Sequence, residues 1–148
     1  MILDELRDLE RAKKVNLVYF NYSAVFPIAT FLAGVTLPVN VPINNDSDFL
    51  WRFSTLAAFS APGVIIPVPD MLVSYSDSGS GRNLQDQPQH VLNVCGTAQL
   101  PFVLPEPYLI TAGSTLGVAL TNNALGPAAL VNMTFSGFKV QYLNGYSR

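Results

Sequence analysis

The stretch Phe31-Leu32-Ala33-Gly34-Val35-Thr36-Leu37-Pro38-Val39-Asn40-Val41-Pro42-Ile43 decides the fold class. Phe31, Ala33, Val35, Leu37, Val39, Val41 and Ile43 share one parity and are all apolar, while Thr36, Pro38, Asn40 and Pro42 share the other. Strict period-two alternation predicts a long strand with one buried face. Pro38 and Pro42 have the same parity, so both missing N–H donors fall on one side of it. That places the segment at a sheet edge or bends it at the prolines, and an edge is where another chain can add on.

Working outward, the same reading applies from Val15 onward and predicts further strands over 48–53, 63–68, 71–75, 90–95, 114–122 and 128–142, the last broken near Gly137. Between them lies turn chemistry: Asn44-Asn45-Asp46, Ser60-Ala61-Pro62-Gly63, Ser78-Gly79-Ser80-Gly81 and Ala112-Gly113-Ser114. Many short strands without intervening helices predict an all-β chain, an antiparallel β-sandwich of jelly-roll-like kind. Two connections stand apart. Residues 76–88 are polar apart from Leu84, and 99–107 carry prolines at 101, 105 and 107 around Phe102, Val103 and Leu104, which favours an extended connection poor in ladder bonds.

The start of the chain follows a different period. Ile2, Leu3, Leu6 and Leu9 fall on one face of a helix over residues 2–14, with Asp4 and Glu5 early and Lys13 and Lys14 late, as the helix dipole favours. A helix this short is marginal alone. Its leucine stripe needs either the chain's own body or a neighbouring subunit. Residues 1–22 are therefore read as a helical arm with its lead-in, and 23–148 as the sandwich domain.

Charge sharpens that division. The 148 residues are 49% hydrophobic and only 12% charged, where about 25% is usual. Eight of the charged residues lie in the first 14 positions, so the body has only Arg52, Arg82, Lys139 and Arg148 as bases. Such a body offers no stripe against a phosphate backbone, and nucleic acid is not an expected partner. Its surface is expected to be covered in part by other subunits. No segment has the roughly 18 consecutive apolar residues of a membrane span, and the charged start does not read as a secretory signal. Folding in a reducing cytoplasm fits the single Cys95.

Sites of chemistry are sparse. Gly79-Ser80-Gly81-Arg82 lacks the ending of a phosphate-binding loop, and Asn44, Asp46 and Asp48 begin a calcium-loop pattern that fails at Phe49 and Thr55. His90 and Cys95 have opposite parity on a predicted strand, which argues against a Cys–His pair. Neither a catalytic residue, a metal site nor a cofactor is expected. Asp48 and Arg52 flank Trp51 on a strongly apolar run, about 13 Å apart on one face, and invite partners from neighbouring strands. Arg82, after the flexible loop, is a comparable candidate for fixing loop or subunit geometry.

Several segments line up in one order: Asn45-Asp46-Ser47-Asp48-Phe49-Leu50-Trp51-Arg52, Asp77-Ser78-Gly79-Ser80-Gly81-Arg82-Asn83-Leu84 with Pro88, Gly96 through Pro107, Ala112 through Asn122, and Gly137-Phe138-Lys139. Over residues 24–142 this resembles a group of small β-sandwich structural proteins of tailed-bacteriophage virions, of the capsid-decoration and head–tail collar kind. The resemblance implies a virion component without enzymatic activity. It would be made in the host cytoplasm, form a homo-oligomer and bind other capsid, portal, collar or tail proteins. The expected contact residues are Ile2, Leu3, Leu6 and Leu9 of the arm and Phe102, Val103 and Leu104 of the proline-rich segment. The alternative is a carbohydrate- or receptor-binding sandwich, for which Tyr75, Tyr108, Tyr142 and Tyr146 could supply stacking faces.

Overall fold

A computed structural model describes residues 2–26, 32–124, 128 and 130–143. The elements are α1 (Ile2–Arg11), β1 (Val15–Phe26), β2 (Thr36–Pro42), β3 (Asp48–Ala61), β4 (Val64–Ile65), β5 (Met71–Asp77), β6 (Arg82–Asn83), β7 (Gln89–His90), α2 (Val91–Val94), β8 (Phe102–Ile110), β9 (Thr115–Asn122) and β10 (Leu130–Tyr142). Phe31 and Tyr146 lie outside the described residues.

All the strand pairs are antiparallel. One sheet runs β1-β10-β3, with β8 and β4 both pairing with β3; the other runs β2-β9-β5, with β6 and β7 both pairing with β5. Of the three two-residue strands, β7 continues into α2; with β4 and β6 left out, the sheets read β1-β10-β3-β8 and β2-β9-β5-β7. Apart from β5 and β7, which share a sheet, successive strands of this set alternate between the sheets, in the manner of two Greek keys, which is jelly-roll connectivity. The chain is thus the expected all-β sandwich with a short N-terminal helix.

Alternation builds the core between the sheets. Tyr22, Ala24 and Phe26 of β1, Val131, Met133 and Phe135 of β10, and Phe49 and Trp51 of β3 face Leu116, Val118 and Leu120 of β9 and Met71, Val73 and Tyr75 of β5. Trp51, Phe135 and Tyr75 meet edge to face, with ring centroids 5.2 to 5.9 Å apart, and tie one sheet to the other.

The break expected near Gly137 is a β-bulge. Trp51 opposes Gly137 and Phe53 opposes Ser136, so Arg52 is the extra residue on β3. The insertion reverses the parity of the strand: Phe49 and Trp51 face the core before it, Ser54 and Ala58 after it. The indole N–H of Trp51 donates across the bulge to the Phe53 carbonyl at 2.9 Å. Glycine is required opposite, because a Cβ on Gly137 would run into the Leu50 carbonyl.

Three expectations need correction. Residues 90–95 form no continuous strand: after two strand residues the chain turns into α2. His90 caps that helix, with extended backbone and with Nδ1 accepting from the Leu92 N–H at 3.3 Å. The proline-rich segment is a strand rather than a connection. It is paired with β3 at Phe102–Val103 and Tyr108–Ile110, and irregular only between, around Pro105 and Pro107. Finally, a boundary at residue 22 would cut β1, which pairs with β10 along its whole length from Val15 to Phe26.

Candidate functional site

The helical arm does not reach outward. Leu3 and Leu6 are buried with Val15, Leu50 and Val140 on the outer face of the β1-β10-β3 sheet, and Ile2 and Leu9 pack against that cluster. The parity of β1, β3 and β10 leaves an apolar strip on the side facing away from the core, and the leucine stripe covers it. The four arm residues expected to touch a neighbour are thus spent on the chain's own body. The charged face of α1 remains on the surface, where Asp8 and Arg11 pair at 3.3 Å.

Of the polar candidates, Asp48 found the neighbours its environment demands. It is buried, and its carboxylate accepts from the Ala112 N–H at 2.8 Å and the Tyr142 hydroxyl at 3.0 Å. Arg52 does not share a regular strand face with it, because Arg52 is the bulged residue. Its guanidinium lies over the rings of Phe53 and Phe138, 4.9 and 5.8 Å from their centroids. Arg82 opposes Asp77 in the β5–β6 hairpin.

Asp77 is the organising group of that hairpin, which the sequence reading passed over. Its carboxylate accepts from the Gly79 N–H at 2.9 Å and from the Tyr108 hydroxyl at 2.9 Å, and Ser80 hydrogen-bonds Tyr108 at 3.2 Å. Burial alone would raise the Asp77 carboxyl. Hydrogen bonds from Ser80, Gly79 and Tyr108 outweigh it and hold the group below the usual range. The same burial, with the bond to Asp77, pushes the Tyr108 hydroxyl up. The legible signal was the Asp-Ser-Gly run, the sequence of an Asx turn. A folded pKa below the unfolded one stabilises above the unfolded value, and that contribution fades as pH falls through the folded value. Asp77→Ala is expected to cost about 1–3 kcal/mol at neutral pH. Urea titrations at falling pH should show the difference from wild type shrinking in the acid range.

Cys95 and His90 are both engaged elsewhere. Burial pushes the Cys95 thiol up to about 11, and its sulfur lies 3.2 Å from the Tyr75 hydroxyl. His90 Nε2 lies 3.3 Å from Asp70 while Nδ1 caps α2. Asp46 accepts from the Ser47 hydroxyl and lies 3.7 Å from the Lys139 ammonium, so it does not converge with Asp48 on a cation site. Among the described residues no three His, Cys, Asp or Glu side chains come together. No helix among them is long and apolar enough to cross a membrane.

Two of the concave surfaces among the described residues carry the apolar and aromatic candidates. A groove of about 640 Å³ runs between the far half of β3, the β4 region and the segment from α2 to Leu100. None of its fifteen lining residues carries a charge. Ile65, Leu92 and Leu100 on it are 61%, 54% and 80% exposed, and Val64 and Val68 beside them are exposed too. Leu100 is held out on a turn closed by Thr97, whose N–H donates to the Leu100 carbonyl at 3.0 Å and whose hydroxyl accepts from the Leu100 N–H at 3.2 Å. Together Ile65, Leu92 and Leu100 make the groove an exposed apolar surface. Leu100 sits just before the expected contact residues Phe102, Val103 and Leu104. Of those, Val103 alone is exposed, while Leu104 packs against the core.

The second is a smaller cleft of about 260 Å³ between β8 and the β5–β6 side, lined by Trp51, Tyr75, Phe102 and Tyr108, with Ser54, Gln85 and Glu106 as its polar groups. The Ser54 hydroxyl is buried there without a hydrogen-bond partner. Tyr75 and Tyr108 thus meet at one place, whereas Tyr142 is bound to Asp48 on another face.

No family model and no curated protein matches the chain. Among solved structures, the chain aligns with the exo-β-1,3-galactanase of Phanerochaete chrysosporium crystallised with galactose, at 12% identity and a TM-score of 0.32. The alignment covers 82% of this chain and 29% of that one, so the chain spans less than a third of that enzyme, and a likeness this slight assigns neither fold nor activity.

Proposed function

We propose that this chain is a non-enzymatic structural protein of a virion, which self-associates and binds neighbouring capsid, collar or tail proteins through apolar surface. The observation that carries the reading is the uncharged groove with Ile65, Leu92 and Leu100 exposed along it. Desolvating such anchors supplies most of the energy of a specific interface, and the near absence of charge on the sandwich removes the cost of stripping water from ions. Jelly rolls serve in both capsid and lectin domains, so the connectivity is compatible with the reading without selecting it. The buried thiol of Cys95 and the engaged nitrogens of His90 favour a non-enzymatic role.

The test is the mass of the purified protein by light scattering, together with the variant Leu100→Asp. Wild type should form a discrete oligomer. The variant should weaken it by about 2 kcal/mol or more, roughly thirtyfold in Kd, with an unchanged circular dichroism spectrum. An unaffected oligomer would remove the groove from the account. A second reading, a carbohydrate- or receptor-binding module, draws on the aromatic cleft with its unpartnered Ser54 hydroxyl. Binding to a glycan array that disappears in Tyr108→Ala would select it over assembly.

A further inference from the structure

Among the described residues three long strands, β1, β2 and β8, stand at sheet edges; β8 is interrupted by Pro105 and Pro107, and β1 and β2 differ in one decisive respect. In β2 the Ile43 N–H donates to the Ser114 carbonyl and the Asn122 N–H to the Val35 carbonyl. With the register between β2 and β9, these bonds turn the odd residues of β2 inward and the even ones outward. The outward set is Thr36, Pro38, Asn40 and Pro42, so two of its four donors are missing. The edge that the alternating stretch announced is the closed one.

In β1 the Leu143 N–H donates to the Lys14 carbonyl, which fixes the even residues as those bonded to β10 and turns the odd ones away. The Leu17 N–H, on the outward side, is already taken by the Glu10 carboxylate at 3.2 Å. Beyond it Tyr19, Asn21, Ser23 and Val25 direct their N–H and C=O groups to a side on which no strand among the described residues pairs. From Val15 to Phe26 there is no proline and no charged residue, and the pairing with β10 continues without a shift. Natural edges are usually guarded by one of these devices. Tyr19 and Val25 are also 60% and 52% exposed.

The spacing of these four residues indicates what covers them. A second β1 laid antiparallel about an axis through Tyr22 sets Tyr19 opposite Val25 of the second copy and Asn21 opposite Ser23, and each pair occurs twice. An aromatic residue meets a β-branched one, an amide meets a hydroxyl, and every outward backbone group gains a partner. No like charges meet, and the Glu10 carboxylate stops the ladder from sliding past Tyr19. We infer that two copies of this chain join through β1 in this register, making one sheet continuous across a two-fold axis. The inference rests on the self-association reading and names one of its surfaces.

The variant Tyr19→Cys with Val25→Cys tests the register under mild oxidation. Two positions six residues apart on one strand lie about 20 Å from each other and cannot bridge within a chain, and Cys95 is buried. The expected product is a covalent dimer whose peptides join position 19 of one copy to position 25 of the other. A chain that stays monomeric, or joins 19 to 19, overturns the inference. Val25→Lys is the companion, expected to weaken the dimer at least tenfold with unchanged circular dichroism. If Val25→Lys leaves the oligomer intact while Leu100→Asp dissolves it, the β1 inference fails and self-association stands; if wild type is monomeric at every concentration, both fail.

Discussion

Gly137→Val is expected to abolish the cooperative native state. The bulge at Arg52 brings the β3 backbone so close to Gly137 that a Cβ there would overlap the Leu50 carbonyl and press on the Leu50 carbonyl carbon at 2.9 Å and the Trp51 Cα at 3.2 Å. These neighbours are backbone atoms in the middle of the sheet, so no side chain can swing aside. Relief requires separating β3 from β10, whose inner faces supply Phe49, Trp51, Ala58, Val131, Met133 and Phe135 to the main core. The cost is put at about 4 kcal/mol or more, above the usual range for one substitution and comparable with the whole stability of many domains. Urea titration followed by Trp51 fluorescence checks it. A variant with wild-type midpoint and slope would mean that the bulge is absent. Gly137→Ala, with the same Cβ, should be nearly as damaging, which separates a backbone collision from side-chain bulk.

Phe135→Ala has the second largest expected effect. Phe135 is fully buried and stands edge to face against both Trp51 of its own sheet and Tyr75 of the other. Truncation removes its transfer energy, leaves a cavity between two rigid sheets and breaks the aromatic contact across the sandwich. The expected loss is about 3–5 kcal/mol. For a domain of this size that corresponds to a fall in Tm of about 10 °C or more. The denaturant slope should stay at the wild-type value, because the surface exposed on unfolding is nearly unchanged. A loss below about 1 kcal/mol would place Phe135 outside the shared core.

What could be read from the sequence follows from which features are local. Alternation from Thr36 to Pro42, and again along β5, β9 and β10, is set by side-chain parity alone and gave the sandwich. Pro38 and Pro42 located the edge, and Gly137 marked the break. Three things depend on distant segments. The bulge at Arg52 reverses parity within β3, so the relation between Asp48 and Arg52 could not follow from counting. The strip that receives Leu3 and Leu6 exists only after β1, β10 and β3 are side by side, and the leucine stripe is the same whether its partner is internal or external. The groove is built from separate stretches near Ala58, Ile65 and Leu100, none of which has a pattern of its own. In the run from Gln89 to Cys95, a histidine cap turned an apparent strand into a helical turn. The uncharged run of β1 was visible, but its openness required knowing which strand stands at the end of the sheet.

The low charge is unevenly placed in the folded chain. The charged helix covers an apolar strip of its own sheet, and among the described residues the groove at Leu100 and the β1 side from Tyr19 to Val25 are exposed and uncharged. Both are the surfaces proposed above for contact with other protein chains.

Light scattering of the purified wild-type protein over a hundredfold range of concentration tests this most directly. The account predicts a discrete oligomer with an even number of subunits, whose mass falls only on dilution or on substitution at Leu100 or Val25. A single species of 16.0 kDa at every concentration would contradict it.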